Sequence, residues 1–213
     1  MWTWSLNWGQ ITDRIVIGTC PMTPGDLMRI HLKAGATGVL SLQHDDCLAY
    51  WGIHYAAMHR AGEALGLTMA RCPIRDFDVG DMRKHLPAAV ALLSGMLSHG
   101  LRVYVHCTAG MGRAPTVALG YLSMVEGYSG DDAIRTILRG RPEAMPALEA
   151  YCGCLDDLVD RYRQTIEQRA YELYQRGVHN SASADWNQAQ AEILRSMLTR
   201  PMEGFGILTS SLK

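Results

Sequence analysis

The chain has 213 residues, 48% of them hydrophobic, and a formal net charge of −1 at pH 7. This length fits one domain with an ample core, and the near-neutral charge excludes the basic surface by which proteins bind nucleic acid or anionic membranes. The sequence contains no stretch of eighteen or more apolar residues, so no transmembrane helix is predicted. The first residues, MWTWSLNWGQ, lack the pattern of a targeting peptide. The six cysteines lack the paired spacing of zinc sites, so we expect reduced thiols in a cytosol-like compartment and neither a metal nor a cofactor.

Predicted strands and helices alternate along the first half of the chain. β-Branched and aromatic runs predict four buried strands, over residues 14–18, 37–42, 68–74 and 103–105. Helical periodicity predicts helices over residues 24–33, 54–65 and 82–99, the first capped by Thr23 and the third by Asp81. Residues 43–54 are polar and then aromatic, which predicts a loop. The alternation predicts an α/β fold with a mostly parallel central sheet and helices on both faces.

The loop after the third strand, RDFDVGD, offers three carboxylates, Asp76, Asp78 and Asp81. Ligands of parallel sheets bind outside the carboxyl ends of the strands, so this loop should share a rim with the loops after residues 42 and 106. A carboxylic acid on that rim can protonate an alkoxide leaving group. We expect this of one of the three, and we expect the others to be solvated loop residues or helix caps.

The stretch LRVYVHCTAGMGRAPT, residues 101–116, carries the strongest chemical signal. A buried strand leads into Cys107, and Arg113 follows six positions later, before an apolar helical pattern. The backbone N–H groups of such a loop converge with the positive end of the helix, which favours a bound anion and the thiolate form of a cysteine, while Arg113 can bind two phosphate oxygens. We therefore predict a phosphate site with Cys107 as its nucleophile, rather than an ordinary buried thiol. The predicted phosphate-binding loop consists of Thr108, Ala109, Gly110, Met111 and Gly112.

The residues HCTAGMGR resemble the Cys-x5-Arg signature of protein tyrosine and dual-specificity phosphatases. The strings VHCTAGMGRAP, IVIGTCPMTPGDL, LSLQHDDCLAYWGIH and RDFD are similar to the glucan phosphatase branch, and the likeness covers about residues 8 to 165. The resemblance implies the dual-specificity phosphatase fold, a phosphocysteine intermediate and phosphorylated α-glucan as the substrate. Ala114 stands where protein phosphatases usually have Ser or Thr, which disfavours a phosphoprotein substrate but keeps it as the alternative. Intact Cys107 and Arg113 argue against a catalytically silent phosphate- or glucan-binding protein.

The same resemblance assigns roles to individual residues. It implies that Asp76 is the general acid, with Asp78 as second choice. It also implies an aromatic rim that faces the glucan, and this rim comprises Trp8, Tyr50, Trp51 and Phe77. Trp8 has an alternative role, because a group of tryptophans near a terminus can simply cover the edge of a domain. Some glucan phosphatases pair the nucleophile with a second cysteine where this chain has Ser41, so we infer no redox switch from the likeness.

The last third of the sequence predicts helices beyond the phosphate site. Ser129 should cap a helix that ends before Pro142, a long helix should span 147–176, and Asp185 should cap the last helix. RAYELYQRG and DWNQAQAEIL resemble a short two-helix module of bacterial proteins. The predicted organisation is a catalytic domain over 1–165, a small helical module over 166–200 and a flexible tail over 201–213. The expected location is the cytoplasm for a bacterial source, or the plastid stroma for an alga or plant.

Overall fold

The computed structural model describes residues 3–177 and 181–199, so the predicted tail over 201–213 lies outside the described residues. The strands are β1 (Trp8–Gln10), β2 (Ile15–Gly18), β3 (Gly38–Gln43), β4 (Thr68–Ile74) and β5 (Val103–His106). The helices are α1 (Pro24–Ala34), α2 (Asp45–Trp51), α3 (Tyr55–Ala64), α4 (Val79–Ser98), α5 (Arg113–Met124), α6 (Gly130–Gly140), α7 (Leu148–Gln175) and α8 (Ala182–Leu198). Within these described ranges, no helix is long and apolar enough to cross a lipid bilayer.

The five strands form one sheet in the order β1-β2-β5-β3-β4. Neighbouring strands are parallel except for β1 and β2, which are antiparallel. The predicted α/β fold with a mostly parallel sheet is therefore confirmed. The sequence analysis misses β1, because a strand of three residues has too little alternation to be recognised and exists through its pairing with β2. The central position of β5 places the loop that follows it in the middle of the carboxyl edge of the sheet.

The side chains of β5 alternate between two hydrophobic cores, one on each face of the sheet. Val103 and Val105 lie in the main core, which also contains residues of the helices α4 to α8. Tyr104 lies in the second core, together with residues of α1, α2 and α3. Successive side chains of a strand point to opposite faces, so each core holds alternate side chains of β5. A shift of the strand by one residue would place every side chain in the wrong core. The position of Cys107 is therefore fixed by packing on both faces.

The segment predicted as a loop after β3 is helical over α2, and that prediction is wrong. The His44 side chain accepts a hydrogen bond from the backbone N–H of Asp46, and Gly52 ends the helix in a left-handed conformation. Two acidic residues in the first turn add a favourable interaction with the helix dipole. A helix of seven residues shows little periodicity, so its signals are the cap and the glycine. Thr23 and Ser129 cap α1 and α6 as predicted.

Two predicted helix caps are wrong. Helix α4 begins at Val79, and Asp78 is the capping residue, since its carboxylate accepts the backbone N–H of Asp81 at 2.8 Å. Helix α8 begins after Ser181, and Asp185 lies buried in its first turn. At each place several residues that favour capping stand within a few positions of one another. Residue preference alone does not show which of them has the extended backbone that a cap requires.

The two C-terminal helices are joined closely to the catalytic part of the chain. Helix α7 runs without a break through the domain boundary predicted between residues 165 and 166. Leu194 and Leu198 of α8 lie in the main core, and Ile166 packs with Ala189 in a smaller core between α7 and α8. A separate helical module over 166–200 stays a prediction, while the packing indicates that α8 helps to hold the main core.

We expect Leu194→Ala to lower the free energy of unfolding of the whole chain by about 2–4 kcal/mol, because the change leaves a cavity in the main core. Ser196→Ala, at an exposed position on the same helix, is the matched control and should change that value by less than about 0.5 kcal/mol. Urea denaturation followed by circular dichroism and by tryptophan fluorescence measures both. If the wild-type chain shows a separate transition for the C-terminal helices, or if Leu194→Ala matches the control, α8 is an independent unit.

Candidate active site

Cys107 lies directly after β5, where the central strand of the sheet ends, and its side chain is buried. The chain then turns through residues 108–112 and enters α5 at Arg113. Gly110 adopts a left-handed backbone conformation with φ of +68°, and a Cβ atom there would collide with the carbonyl oxygen of Gly18. Only glycine meets both conditions at once. The structure thus gives the predicted loop between Cys107 and Arg113 a tightly curved path against the end of β2.

The guanidinium of Arg113 lies beneath this loop, with only 5% of the residue exposed. Its Nη2 atom is 2.7 Å from Oδ2 of Asp76 and 3.2 Å from Oγ1 of Thr108. Its Nη1 atom donates to the carbonyl oxygen of Ile74 at 2.8 Å, so the arginine also holds the end of β4. Within residues 3–177 and 181–199, the buried Nε of Arg113 has no hydrogen-bond partner. This leaves one strong donor available for a further acceptor.

Charge is balanced locally around Arg113. Burial lowers the pKa of the guanidinium, but its interactions with Cys107, Asp76 and Cys47 together raise it by more, and the net pKa lies above its ordinary value. The arginine therefore remains a cation throughout the physiological range. Burial raises the pKa of the Cys20 thiol to about 12 and that of the Cys72 thiol to about 11. Those two remain neutral thiols at neutral pH.

The three aspartates of the loop after β4 have three different surroundings. Asp76 reaches Arg113, as described above. Asp78 caps α4, and the carboxylate of Asp81 accepts the backbone N–H of Arg75 at 2.7 Å. Two of the three carboxylates are thus occupied in holding the backbone, and of the three only Asp76 contacts Arg113. Its catalytic role stays a prediction, but the structure brings it into contact with one of the other two predicted catalytic residues.

The four predicted rim aromatics fall into two groups. Tyr50 is 82% exposed and Phe77 is fully exposed, and Phe77 has an unusual positive φ of 57° that turns the chain directly after Asp76. Trp51 and Trp8 are half-buried and pack against the second core, where the Trp8 ring meets Tyr104 edge-on at 6.4 Å. The first pair is open to a ligand over most of its surface, although the Tyr50 ring also meets Trp51 edge-on at 5.3 Å, whereas the second pair supports the fold.

Several residues that the sequence analysis did not assign to the site also touch it. The guanidinium of Arg141 donates from Nε to the carbonyl oxygen of Gly110 at 2.7 Å and from Nη2 to that of Ala109 at 2.9 Å. Arg113 Nη1 lies 3.5 Å from Sγ of Cys47. No local pattern marks Arg141, because 31 residues separate it from Gly110.

Among the described residues, no group of three or more His, Cys, Asp or Glu side chains is placed to hold a metal ion.

The chain is similar in sequence to proteins of known family. Residues 52–153 match the family model described as dual specificity phosphatase, catalytic domain. The chain is 31% identical over 163 residues to "Phosphoglucan phosphatase DSP4, amyloplastic" of Castanea sativa, covering 76% of this chain and 43% of that protein. It is 33% identical over 117 residues to "Phosphoglucan phosphatase LSF1, chloroplastic" of Arabidopsis thaliana, covering 55% and 20%. It thus spans less than half the length of these two curated relatives.

The fold is also similar to a solved structure. The crystal structure of Tk-PTP in the active form superposes with a TM-score of 0.57 and 23% sequence identity, covering 72% of this chain and 97% of that one. At this level of identity the likeness shows a shared fold. It agrees with the fold class expected from the sequence.

His106 should make stability depend on pH. Burial lowers its pKa to about 4, although its hydrogen bond to the carbonyl oxygen of Cys107 opposes the shift. Since the unfolded value is about 6.5, protonation favours the unfolded chain, and stability that is complete above pH 6.5 is lost as the pH falls towards 4. Between pH 7 and pH 4 we expect the wild type to lose roughly 3 kcal/mol more than His106→Asn, which does not titrate.

Urea denaturation at a series of pH values measures this difference. His99→Asn, at an exposed position, is the control and should follow the wild-type curve. Parallel curves for the wild type and His106→Asn would contradict the assignment of a neutral, buried His106.

Proposed function

We infer that the chain belongs to the dual-specificity phosphatase family, in the branch with the phosphoglucan phosphatases, and from this premise we propose that it removes phosphate from phosphorylated α-glucan. The observation that carries the proposal is the approach of Asp76 to Arg113 at 2.7 Å beside the Cys107 loop. A nucleophile, an anion-binding cation and a carboxylic acid are the three groups that hydrolysis through a phosphocysteine requires.

In the first proposed step, the thiolate sulfur of Cys107 attacks phosphorus in line with the sugar oxygen. The sulfur–phosphorus bond forms as the phosphorus–oxygen bond breaks, and Asp76 gives its proton to the departing oxygen. The amides of the loop and the guanidinium of Arg113 hold the remaining phosphate oxygens. In this structure Asp76 occupies Nη2 of Arg113, so a phosphate that binds there competes with the carboxylate for that donor.

In the second proposed step, water hydrolyses the phosphocysteine. Asp76, now ionised, takes a proton from the water as its oxygen attacks phosphorus, and the sulfur–phosphorus bond breaks to return the Cys107 thiolate. Inorganic phosphate leaves and the enzyme is restored. The groups named here suffice for both steps, so the proposed reaction involves neither a metal ion nor an organic cofactor.

Two features support a carbohydrate as the rest of the substrate. The relatives named above are phosphoglucan phosphatases, and Tyr50 and Phe77, two of the four predicted rim aromatics, are exposed. Flat aromatic rings pack well against the apolar faces of sugars. The second candidate is a phosphoprotein or small phosphoester, which the match of residues 52–153 to the dual-specificity phosphatase model favours. The chemistry at Cys107 would be identical, and only the rim would differ.

The proposed partner is therefore phosphorylated α-glucan, and neither a nucleic acid nor a membrane is proposed. Both curated relatives carry plastid names. We propose the plastid stroma as the location if the source is an alga or plant, and the cytoplasm if it is a bacterium.

Asp76→Ala should slow the hydrolysis of alkyl phosphates far more than that of aryl phosphates, whose leaving groups need little protonation. The expected loss in kcat for a glucosyl phosphate is on the order of 10²–10⁴. Asp78→Ala is the matched control: it loses the cap of α4 and about 1 kcal/mol of stability, but it should show no dependence on the leaving group. If only Asp78→Ala shows a dependence on the leaving group, the general acid is Asp78 and not Asp76.

Phe77→Ala and Tyr50→Ala should each reduce phosphate release from phosphorylated amylopectin several-fold, because each removes exposed contact area that only a glucan uses. Both should hydrolyse a small aryl phosphate within about twofold of the wild type and keep their melting temperature, since neither ring is buried. Trp51→Ala should lower glucan activity and also the melting temperature, because Trp51 packs on the second core.

Phosphate release from a phosphotyrosine peptide, measured on the same preparations, separates the two candidate functions. A wild-type enzyme that prefers the peptide over amylopectin, or rim variants that lose both activities equally, would transfer the assignment to the second candidate.

A further inference from the structure

Arg141 is an arginine buried against the predicted phosphate-binding loop. It follows α6 directly and is 3% exposed. Its guanidinium donates to two consecutive carbonyl oxygens of the loop, those of Ala109 and Gly110, at 2.9 and 2.7 Å. Burying a guanidinium is costly unless its donors are satisfied, so this arrangement ties the conformation of the loop to Arg141.

The guanidinium is also anchored away from the loop. Nη1 lies 3.4 Å from the carbonyl oxygen of Ile17 in β2, and Nη2 donates to Oδ1 of Asn7 at 2.9 Å. The carboxylate of Glu143, 3.3 Å from Nη2, balances the charge. Because its acceptors come from four separate segments, the planar fork has little freedom to rotate. The loop is therefore tied through Arg141 to β2 and to the segment before β1.

Two glycines allow Arg141 to reach this position. A Cβ atom on Gly9 of β1 would collide with the carbonyl oxygen of Gly140, and a Cβ atom on Gly140 would collide with that of Gln10. The end of α6 therefore lies in direct backbone contact with the edge strand. Arg141 is the next residue, so this contact fixes where its side chain starts. Its placement is thus determined by the backbone packing of α6 against β1.

We propose that Arg141 is a positioning residue that directs two amides of the loop towards the phosphate of the substrate. In a trans peptide unit, the carbonyl oxygen and the N–H of the next residue point in opposite directions. Holding the oxygens of Ala109 and Gly110 towards Arg141 therefore turns the N–H groups of Gly110 and Met111 the other way, into the curve of the loop. This inference rests on the proposed function, in which that curve receives the phosphate.

The first test measures binding of inorganic phosphate to protein that carries Cys107→Ser, so that no turnover intervenes. Adding Arg141→Met should weaken phosphate binding and raise its Kd by about tenfold or more. Arg141→Lys should be intermediate, because an ammonium group keeps the charge but lacks the fork that serves two carbonyls. Arg139→Met, which removes an exposed arginine of α6, is the matched control and should bind as tightly as the parent.

The second test distinguishes positioning from simple support of the fold. On addition of phosphate, the amide NMR signals of Gly110 and Met111 should shift in the Cys107→Ser parent, and these shifts should shrink in the Arg141→Lys form. With Cys107 present, kcat/KM for an aryl phosphate should fall by about 10–10³ in the Arg141 variants, measured at a temperature where the folded fraction equals that of the wild type. If Arg141→Met does not fold, Arg141→Lys and Asn7→Ala, which removes one anchor, decide the question.

The outcomes separate this inference from the proposed function. If the Cys107→Ser parent binds no phosphate, the loop is not a phosphate site and the proposed function itself fails. If the parent binds phosphate and the folded Arg141 variants bind it within twofold, with the same amide shifts, only the role of Arg141 is overturned. Weakened binding with reduced amide shifts, at an unchanged folded fraction, supports it.

Discussion

The buried positive charge of Arg113 is the constraint on which the site depends. A guanidinium removed from water destabilises the fold unless both its charge and its hydrogen-bond donors are met. Here the carboxylate of Asp76 lies 2.7 Å from Nη2, and other donors go to the carbonyl oxygen of Ile74 and the hydroxyl of Thr108. The cysteine loop, the aspartate loop and the end of β4 are thus gathered around one cation. Under the proposed function, the phosphate of the substrate would bind this same cation.

The sheet fixes where β5 ends and therefore where the loop after it begins. Its side chains are divided between two cores, with Val105 on one face and Tyr104 on the other. A shift by one residue would exchange these environments, so the strand has one register and Cys107 one position. The rim is more loosely determined. Tyr50 and Phe77 stand clear of the cores, and their orientation is left to the short α2 and to a single turn.

The sequence was most informative where the determinants are local. The strand, the glycine-bearing loop and the helix start around Cys107 are encoded within sixteen consecutive residues, 101–116, and the structure has them as predicted. The local sequence pattern could not show which of Asp76, Asp78 and Asp81 lies at the site, because all three residues suit a loop or a helix cap. Only the path of the folded chain gives them different surroundings. Composition alone also did not reveal which aromatic rings are exposed. Arg141 was missed because its partners are distant in the chain.

That distance has a consequence for biosynthesis. Arg141 joins Asn7 across 134 positions and Ile17 across 124, so the backing of the phosphate-binding loop is closed by contacts of very long sequence separation. Such contacts carry a higher entropy cost of loop closure than local ones do. A nascent chain that already contains Cys107 and Asp76 cannot form this support until residue 141 has left the ribosome.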